Sequence, residues 1–327
     1  MNVSKGICRD NVLRRRGNRF LFLATLFLAN SKRIVAASDN GVFKNLNPSL
    51  VASMSQGTTV AVPCRVYGNG DVTATDREPF DGVVILTRSS KQRNNFPEKE
   101  SYDCDDDMER RGDLHVWPYD KLSFTAPLLP KRWNVIGENS VVCMTGFSPE
   151  VHFLTRLLQE IVDSYRRTLE SDGFERTPPA VELMKDLAHQ YQINALSKSS
   201  RPFGVAVLMV GRSSDRSRWQ VWTLDPSGSL RSGKIGAIGK EAPTFIEKLT
   251  DKHKIGGTPR ETLTRMLRAS RETLLDAFRA TDAKEYEAIL LCWREASMQV
   301  GRVSSHDIED CLRTIIDEED DREREEA

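Results

Sequence analysis

Residues 201–210, Arg-Pro-Phe-Gly-Val-Ala-Val-Leu-Met-Val, contain a nearly continuous apolar run from Phe203 to Val210. A second apolar run, Trp219 to Leu224, follows a polar stretch and ends at the turn sequence Asp225-Pro226-Ser227-Gly228. Continuous apolar runs of this length are typical of strands that are covered on both faces. These residues therefore predict a buried pair of strands near the middle of the fold.

Hydrophobic periodicity predicts further strands and helices on both sides of this pair. Upstream, strands are predicted at Thr58–Val62, Asp81–Leu86, Trp133–Ile136 and Ser140–Thr145, and helices begin at Ser148 and at Thr177-Pro178. Downstream, the pattern predicts one strand over Leu230–Ile238, helices over Thr244–Leu249 and Glu261–Phe278, a strand over Glu287–Trp293, and a helix capped by Ser304 and Asp307. This order predicts an α+β fold in which antiparallel sheets lie between helical layers, as a four-layer αββα sandwich.

Residues 1–30 are predicted to be an N-terminal extension with the layout of a secretory signal. Arg14–Arg16 and Arg19 precede the apolar run Phe20–Ala29, which is too short to span a bilayer, so no membrane span is predicted. The best cleavage sequence, Val35-Ala36-Ala37, lies farther downstream than usual. Two interpretations stay open: a signal for the secretory pathway or an organelle, or an extension without that role.

Two further stretches are strongly charged. Residues 89–130 are rich in charged and polar residues, with an acidic cluster from Asp103 to Glu109, and are predicted to be a disordered surface insertion. Residues 321–327 are predicted to be an acidic tail. The cluster lacks the glycine-centred pattern of a calcium loop, so we expect a solvated charge run.

The overall composition favours neither nucleic-acid nor metal binding. The 47 Lys and Arg residues balance the 47 Asp and Glu residues, so no net field attracts nucleic acid. The six cysteines are scattered and the five histidines lack ligand spacing, which predicts reduced thiols and no metal or other cofactor. Gly233–Lys240 only superficially suggests a phosphate loop, because the glycine spacing is wrong and Glu241 replaces the Ser or Thr that binds magnesium.

Several motifs resemble those of one protein family. Arg201–Val205, Asp225–Gly228 and Ala237–Gly239 resemble, in order and spacing, the central hairpin and following strand of proteasome α subunits. Val142–Gly146 resembles the strand end before the first long helix of that family, and Asp81–Val84 resembles its second strand. Residues 31–320, apart from the insertion, are identified as similar to an α-type subunit of the 20S proteasome.

The resemblance implies the N-terminal-nucleophile hydrolase fold, used as a structural subunit rather than as an enzyme. It implies assembly with other proteasome α and β subunits, in an outer ring that forms the substrate entry pore. Regulatory particles are possible further partners, and the expected location is the cytoplasm and nucleus. The family's Tyr-Asp gate pair is replaced by Ser31-Lys32, and the basic residue that receives activator tails falls on Ser89, with Lys91 nearby.

An alternative is a catalytic β-type relative that cleaves itself before Thr58. Gly57-Thr58 mimics the processing junction of those threonine endopeptidases. The resemblance places the required carboxylate at Arg88 and the required lysine at Arg132, with Lys131 beside it, and the expected serine at Lys240. Arginine stays protonated and cannot relay a proton as lysine can. We therefore predict that the chain has no catalytic residue. Thr58 is the candidate nucleophile only under the β-type alternative.

Overall fold

The computed structural model describes residues 57–66, 81–88, 108–118, 133–170, 178–197, 201–212, 219–252, 257–273, 283–294 and 297–326. These residues form two antiparallel sheets and five α-helices, which confirms the predicted α+β class. The strands are β1 Thr58–Cys64, β2 Gly82–Arg88, β3 Glu109–Arg111, β4 Leu114–Pro118, β5 Trp133–Ile136, β6 Ser140–Gly146, β7 Val205–Arg212, β8 Trp219–Leu224, β9 Leu230–Gly233, β10 Gly236–Gly239, β11 Tyr286–Arg294 and β12 Ser297–Val303. The helices are α1 Ser148–Glu170, α2 Ala180–Leu196, α3 Ala242–Lys252, α4 Pro259–Glu272 and α5 Ser305–Glu326, and a short 3-10 helix covers Ala283–Glu285.

The strands pair in two sheets of different size. The larger sheet has seven strands in the order β10-β1-β2-β11-β12-β4-β3. The smaller sheet has five strands in the order β5-β6-β7-β8-β9, with the predicted pair β7 and β8 next to each other. Strands β9 and β10 follow each other in the chain but lie at the edges of different sheets.

Buried apolar side chains form three clusters, as strands with two covered faces require. One cluster combines inward-facing residues of both sheets, including Val83, Leu208 and Ile289. A second joins the smaller sheet to α1 and α2, and a third joins the larger sheet to α3, α4 and α5. The prediction that both faces of β7 and β8 are covered is therefore confirmed.

The predicted single strand over Leu230–Ile238 is wrong. The chain instead leaves the smaller sheet after Gly233 and joins the larger sheet at Gly236. A Cβ atom on Gly236 would lie 2.5 Å from a methyl group of Val221, so this approach between the sheets requires glycine. The glycines of this stretch therefore do not lie inside one strand but mark the transfer between two sheets.

The predicted insertion and tail also differ from the structure. Within 89–130, the residues of β3 and β4 form a hairpin on β12, with Leu114 and Val116 fully buried, so the predicted disorder is wrong for these residues. Helix α5 continues to Glu326, so residues 321–326 are helical rather than a separate tail. Strand β12 was not predicted. The signal-like segment 1–30 and the acidic residues 103–107 lie outside the described residues.

Helices in the described part of the chain that have the length to cross a bilayer are not apolar enough to do so.

Candidate functional site

Thr58 lies at a tightly built corner of the larger sheet. It is the first residue of β1, is only 5% exposed, and pairs across the sheet with Arg88 on β2 and with Gly239 on β10. Gly57 and Gly239 have φ angles of 124° and 113°, which favour glycine. A Cβ atom on Gly239 would lie 2.4 Å from the Gly57 carbonyl oxygen, so the two chain segments are in direct contact.

The residue facing Thr58 on β2 is a cation that already has partners. An Nη1 atom of Arg88 lies 3.0 Å from Glu241 Oε2, and its Nε atom lies 3.9 Å from Glu285 Oε2. The neighbouring hydroxyls of Thr59 and Thr87 are 3.1 Å apart and hydrogen-bonded. A guanidinium cannot accept the proton of a threonine hydroxyl, so Arg88 cannot serve as the base of a nucleophilic mechanism.

Of the other predicted members of this corner, only Lys240 lies among the described residues. Lys240 directly follows β10 and has an exposed side chain. Lys131 and Arg132 lie outside the described residues. Tyr286 is the β11 partner of Arg88, and its hydroxyl donates a hydrogen bond to Ser270 Oγ at 3.3 Å. Burial raises the pKa of Tyr286, so the phenol stays protonated and does not replace the missing base.

The Arg201–Val205 motif forms a second corner, at the start of α1. Arg201 makes an ion pair with Glu150, which is only 4% exposed, and Glu150 Oε2 also accepts a hydrogen bond from the Gly204 N–H at 2.8 Å. Burial raises the pKa of Glu150, while Arg201 and the Gly204 N–H oppose that shift. The Arg201 guanidinium lies 5.7 Å from the centre of the Phe147 ring, within cation–π distance.

Helix α2 is joined to the same motif by side chains near its C-terminus. Asn194 donates a hydrogen bond to the Arg201 carbonyl oxygen at 2.7 Å, and Tyr191 donates one to the Val205 carbonyl oxygen at 3.1 Å. The Tyr191 and Phe203 rings have centroids 5.0 Å apart. The motif therefore connects the start of α1, the end of α2 and the start of β7, and its role in this chain is structural.

Two glycines allow the backbones of this corner to meet. Gly146, with φ of 148°, ends β6 next to Gly204, and a Cβ atom on Gly146 would lie 2.1 Å from the Gly204 carbonyl oxygen. The Asp225–Gly228 turn is held in a similar local way, because Asp225 Oδ1 accepts hydrogen bonds from the Ser227 and Ser229 N–H groups. The motifs on which the resemblance rests therefore lie at turns and at junctions between elements.

Comparison with known proteins adds a family assignment to this geometry. Residues 130–288 match the family described as "Proteasome subunit", a span that contains the Glu150 corner and β5 to β10. Residues 130–288 are therefore similar to proteasome subunits. The predicted resemblance to α-type subunits is confirmed by the relatives that this chain matches.

The relatives share modest identity with the chain. Proteasome subunit alpha type-2 of Oryza sativa subsp. indica is 34% identical over 113 residues, which is 34% of this chain and 45% of the relative. The alpha type-2 subunit of Dictyostelium discoideum is 30% identical over 121 residues, 36% of this chain and 49% of the relative. The alpha type-1 subunit of Caenorhabditis elegans is 28% identical over 147 residues, 44% of this chain and 54% of the relative. The chain spans about half the length of the curated relatives it matches.

A third polar network joins α5 to α4 and to the inserted hairpin. Asp307 is 1% exposed and accepts hydrogen bonds from the His115 N–H at 2.6 Å, Arg260 at 2.8 Å and Ser304 Oγ at 3.0 Å. Burial alone would raise the pKa of Asp307, but these hydrogen bonds outweigh it and lower the pKa. The predicted capping role of Ser304 and Asp307 is confirmed, because Ser304 Oγ accepts from the Asp307 N–H at 3.0 Å.

The cysteines of the described residues are all buried. Cys64, Cys143, Cys292 and Cys311 are buried and form no disulfide with one another, and burial raises the pKa of Cys64 and Cys143. No group of three or more His, Cys, Asp or Glu side chains among the described residues could hold a metal ion. Glu150 was not predicted as a functional residue, because its only sequence signal is an acidic residue in the first turn of a predicted helix.

Proposed function

We propose that this chain is a non-catalytic α-type subunit of a 20S proteasome core particle, where it contributes to the outer ring and the substrate entry pore. The observation that supports the proposal most strongly is that an arginine, Arg88, lies opposite Thr58 and is paired with a glutamate. This guanidinium occupies the strand position opposite Thr58, where the resemblance requires a carboxylate, and Glu241 binds it at 3.0 Å.

The chemistry of the Thr58 corner supports a subunit without peptidase activity. A threonine hydroxyl becomes a nucleophile only when a nearby base accepts its proton. A protonated guanidinium next to Thr58 also raises the cost of a second cation, such as a lysine or a freed amine. The ion pairs to Glu241 and Glu285 give Arg88 a structural task in place of the catalytic one.

The fold supports the same proposal at a finer level. The three apolar clusters correspond to the interfaces of helices on sheet, sheet on sheet, and sheet on helices. We infer from them the αββα order of the N-terminal-nucleophile hydrolase fold. Proteasome α and β subunits are the proposed partners, with regulatory particles as further proposed partners, and the cytoplasm and nucleus are the proposed location.

The proposal is tested by purifying the tagged, full-length protein from its own cells under native conditions. We expect it to migrate with other proteasome α and β subunits at the size of the core particle. Mass spectrometry of the same particle should find a peptide that crosses the Gly57–Thr58 bond. A protein that migrates alone would contradict the assembly role, and a particle-bound chain beginning at Thr58 would support the self-processed alternative.

Peptides from residues 1–30 in the same sample address the signal-like extension. Their presence in the assembled particle would mean that the extension is retained there. A reporter fused to residues 1–45 provides a separate measurement of location, for which we expect a diffuse signal in the cytosol and nucleus. A reporter that enters the secretory pathway would contradict the proposed location.

A further inference from the structure

Strand β4 of the inserted hairpin covers the end of β12. Residues 301–303 of β12 pair with residues 116–118 of β4 in an antiparallel ladder. The ladder continues beyond β12, where the Ser304 N–H donates a hydrogen bond to the His115 carbonyl oxygen at 2.9 Å. An outer strand has unpaired backbone donors and acceptors that can bind an extended segment. In this chain, the segment that binds the end of β12 is supplied by the chain itself.

Two side chains of β4 anchor the hairpin in the apolar core. Leu114 and Val116 are fully buried and belong to the same cluster as Leu263 of α4 and Ile308 of α5. His115, which lies between them, is half-exposed. Successive side chains of a strand point to opposite faces, so two buried positions on one face lie two residues apart. The place beside β12 therefore accepts an extended segment with apolar residues at this spacing.

Two polar contacts define this place further. At the start of α4, the Arg260 N–H donates a hydrogen bond to Asp113 Oδ1 at 2.9 Å. At the start of α5, Asp307 Oδ2 accepts a hydrogen bond from the His115 N–H at 2.6 Å. A carboxylate is stabilised next to a helix N-terminus, where backbone N–H groups lack partners within the helix. Together with the two apolar anchors, these contacts fit the sequence Asp-Leu-x-Val, in which x is any residue with a backbone N–H.

The outer strand of the hairpin is a poorer edge than the strand that the hairpin covers. Among the described residues, β3 is the last strand of the larger sheet and has only three residues, Glu109–Arg111. Glu109 and Arg110 are exposed. A short, charged edge strand disfavours pairing with another chain. The hairpin therefore covers the end of the seven-residue strand β12 and presents a short charged strand in its place.

We propose that the end of β12 and the starts of α4 and α5 form a binding site for an extended Asp-Leu-x-Val peptide, and that the chain's own hairpin occupies this site. We call residues 301–303, Arg260 and Asp307 the acceptor edge. The docked hairpin excludes segments of other chains from the acceptor edge, which becomes available only when the hairpin leaves. The inference does not depend on the proposed function, because every contact that supports it lies within one chain.

The inference is tested on the purified full-length chain by substitutions that release the hairpin. In the double variant Leu114→Asp and Val116→Asp, carboxylates replace the two buried anchors, so the hairpin should leave the acceptor edge. The probe is a fluorescein-labelled peptide with the sequence of residues 109–118. Fluorescence anisotropy should show that the double variant binds this peptide at least about tenfold more tightly than wild type, because the site of wild type is already filled.

Two controls isolate the anchoring side chains. Arg110→Glu changes the charge of the hairpin at an exposed position of β3 and should bind the peptide as weakly as wild type. A second peptide carries Asp at the positions of Leu114 and Val116 and should bind neither wild type nor the double variant. Equal binding of the first peptide by wild type and the double variant would overturn the inference. Equal binding of the two peptides by the double variant would also overturn it, because the acceptor edge would then not select the apolar anchors.

The same peptide keeps the test decisive if the double variant does not fold alone. A ligand that binds only the folded state stabilises that state, so the peptide of residues 109–118 should then restore the fold in trans. Circular dichroism and thermal unfolding with and without the peptide are the measurements. A double variant that stays unfolded at saturating peptide would contradict the proposal, and so would one that the Asp-substituted peptide restores equally well.

Discussion

The Glu150 corner and the Thr58 corner each contain an arginine–glutamate pair, but the two pairs differ in depth. Glu150 is only 5% exposed at its side chain and also accepts a hydrogen bond from the Gly204 N–H. Glu241, the partner of Arg88, is 31% exposed at its side chain. A buried charge that loses its partner is costly, whereas a half-exposed carboxylate can turn to water. The Glu150 pair therefore maintains the fold, and the Arg88 pair can change while the fold remains.

The largest expected effect comes from breaking the deeper pair. Glu150→Ala leaves Arg201 without its carboxylate and the Gly204 N–H without its acceptor, so the free energy of unfolding should fall by about 3–5 kcal/mol. The measurement is urea denaturation of the purified chain. Glu160→Ala is the matched control on the same helix, because Glu160 makes an exposed pair with Arg156 and should cost less than about 0.5 kcal/mol. If both variants lost the same free energy of unfolding, the buried Glu150 pair would contribute no more to stability than an exposed pair.

The close backbone approach in the Glu150 corner predicts the next effect. Gly146→Ala forces a side chain onto a φ of 148° and places Cβ against the Gly204 carbonyl oxygen. The strained backbone alone should cost about 1–3 kcal/mol, measured as a lower urea midpoint. Gly233→Ala is the control, because its nearest atom is the Ile235 carbonyl oxygen at 3.1 Å, and it should change stability by less than about 1 kcal/mol. A Gly146→Ala variant as stable as wild type would contradict the described junction.

Unlike the effects above, the contribution of Asp307 to stability is expected to depend on pH. Its pKa is lowered in the folded protein, so its contribution is fully present above the usual aspartate pKa and is lost as the pH falls through the lowered value. Asp307→Asn should cost about 1–2 kcal/mol at pH 7, and the difference from wild type should shrink as the pH falls toward 3. Thermal unfolding of both proteins across this pH range is the measurement. A difference that grew on acidification would reverse the assigned direction.

The smallest expected effect comes from the Thr58 corner. Arg88→Met removes the charge and keeps most of the side-chain volume, so the free energy of unfolding should fall by only about 0.5–1 kcal/mol. The purified variant should show no threonine-peptidase activity toward fluorogenic peptides, because methionine supplies no base. A loss as large as that of Glu150→Ala would show that both corners maintain the fold equally.

The fold was predicted best where the sequence pattern is local. The bounds of β5 and β8 match the predicted runs, because both runs are rich in aromatic and branched apolar residues and are followed by turn residues, Gly137 and Asp225. The inserted hairpin was not predicted because β3 is Glu-Arg-Arg, which contains no apolar residue to indicate a strand. Its stability comes from Leu114 and Val116, which pack on residues far away in the chain. Strand β12 was missed because Gly301 and polar residues interrupt its pattern.

In the candidate site, too, the local motifs could be predicted from the sequence, but the contacts between distant residues could not. The Arg201–Val205 motif resembles the family's sequence. Its structural role, binding to Glu150, could not be predicted, because Glu150 lies 54 residues before Gly204. The pairing of Arg88 with Glu241 spans 153 residues and has no local signal. Sequence reasoning could predict that arginine replaces a carboxylate, but not that two glutamates would bind it.

The central claim is that this chain assembles as a proteasome α-type subunit and that its Thr58 is never released as a nucleophile. Native purification from cells followed by mass spectrometry across the Gly57–Thr58 bond tests both parts on one sample. We predict particle-sized complexes with α and β subunits in which this bond is intact. A chain that begins at Thr58, or one that migrates without any proteasome subunit, would contradict the claim.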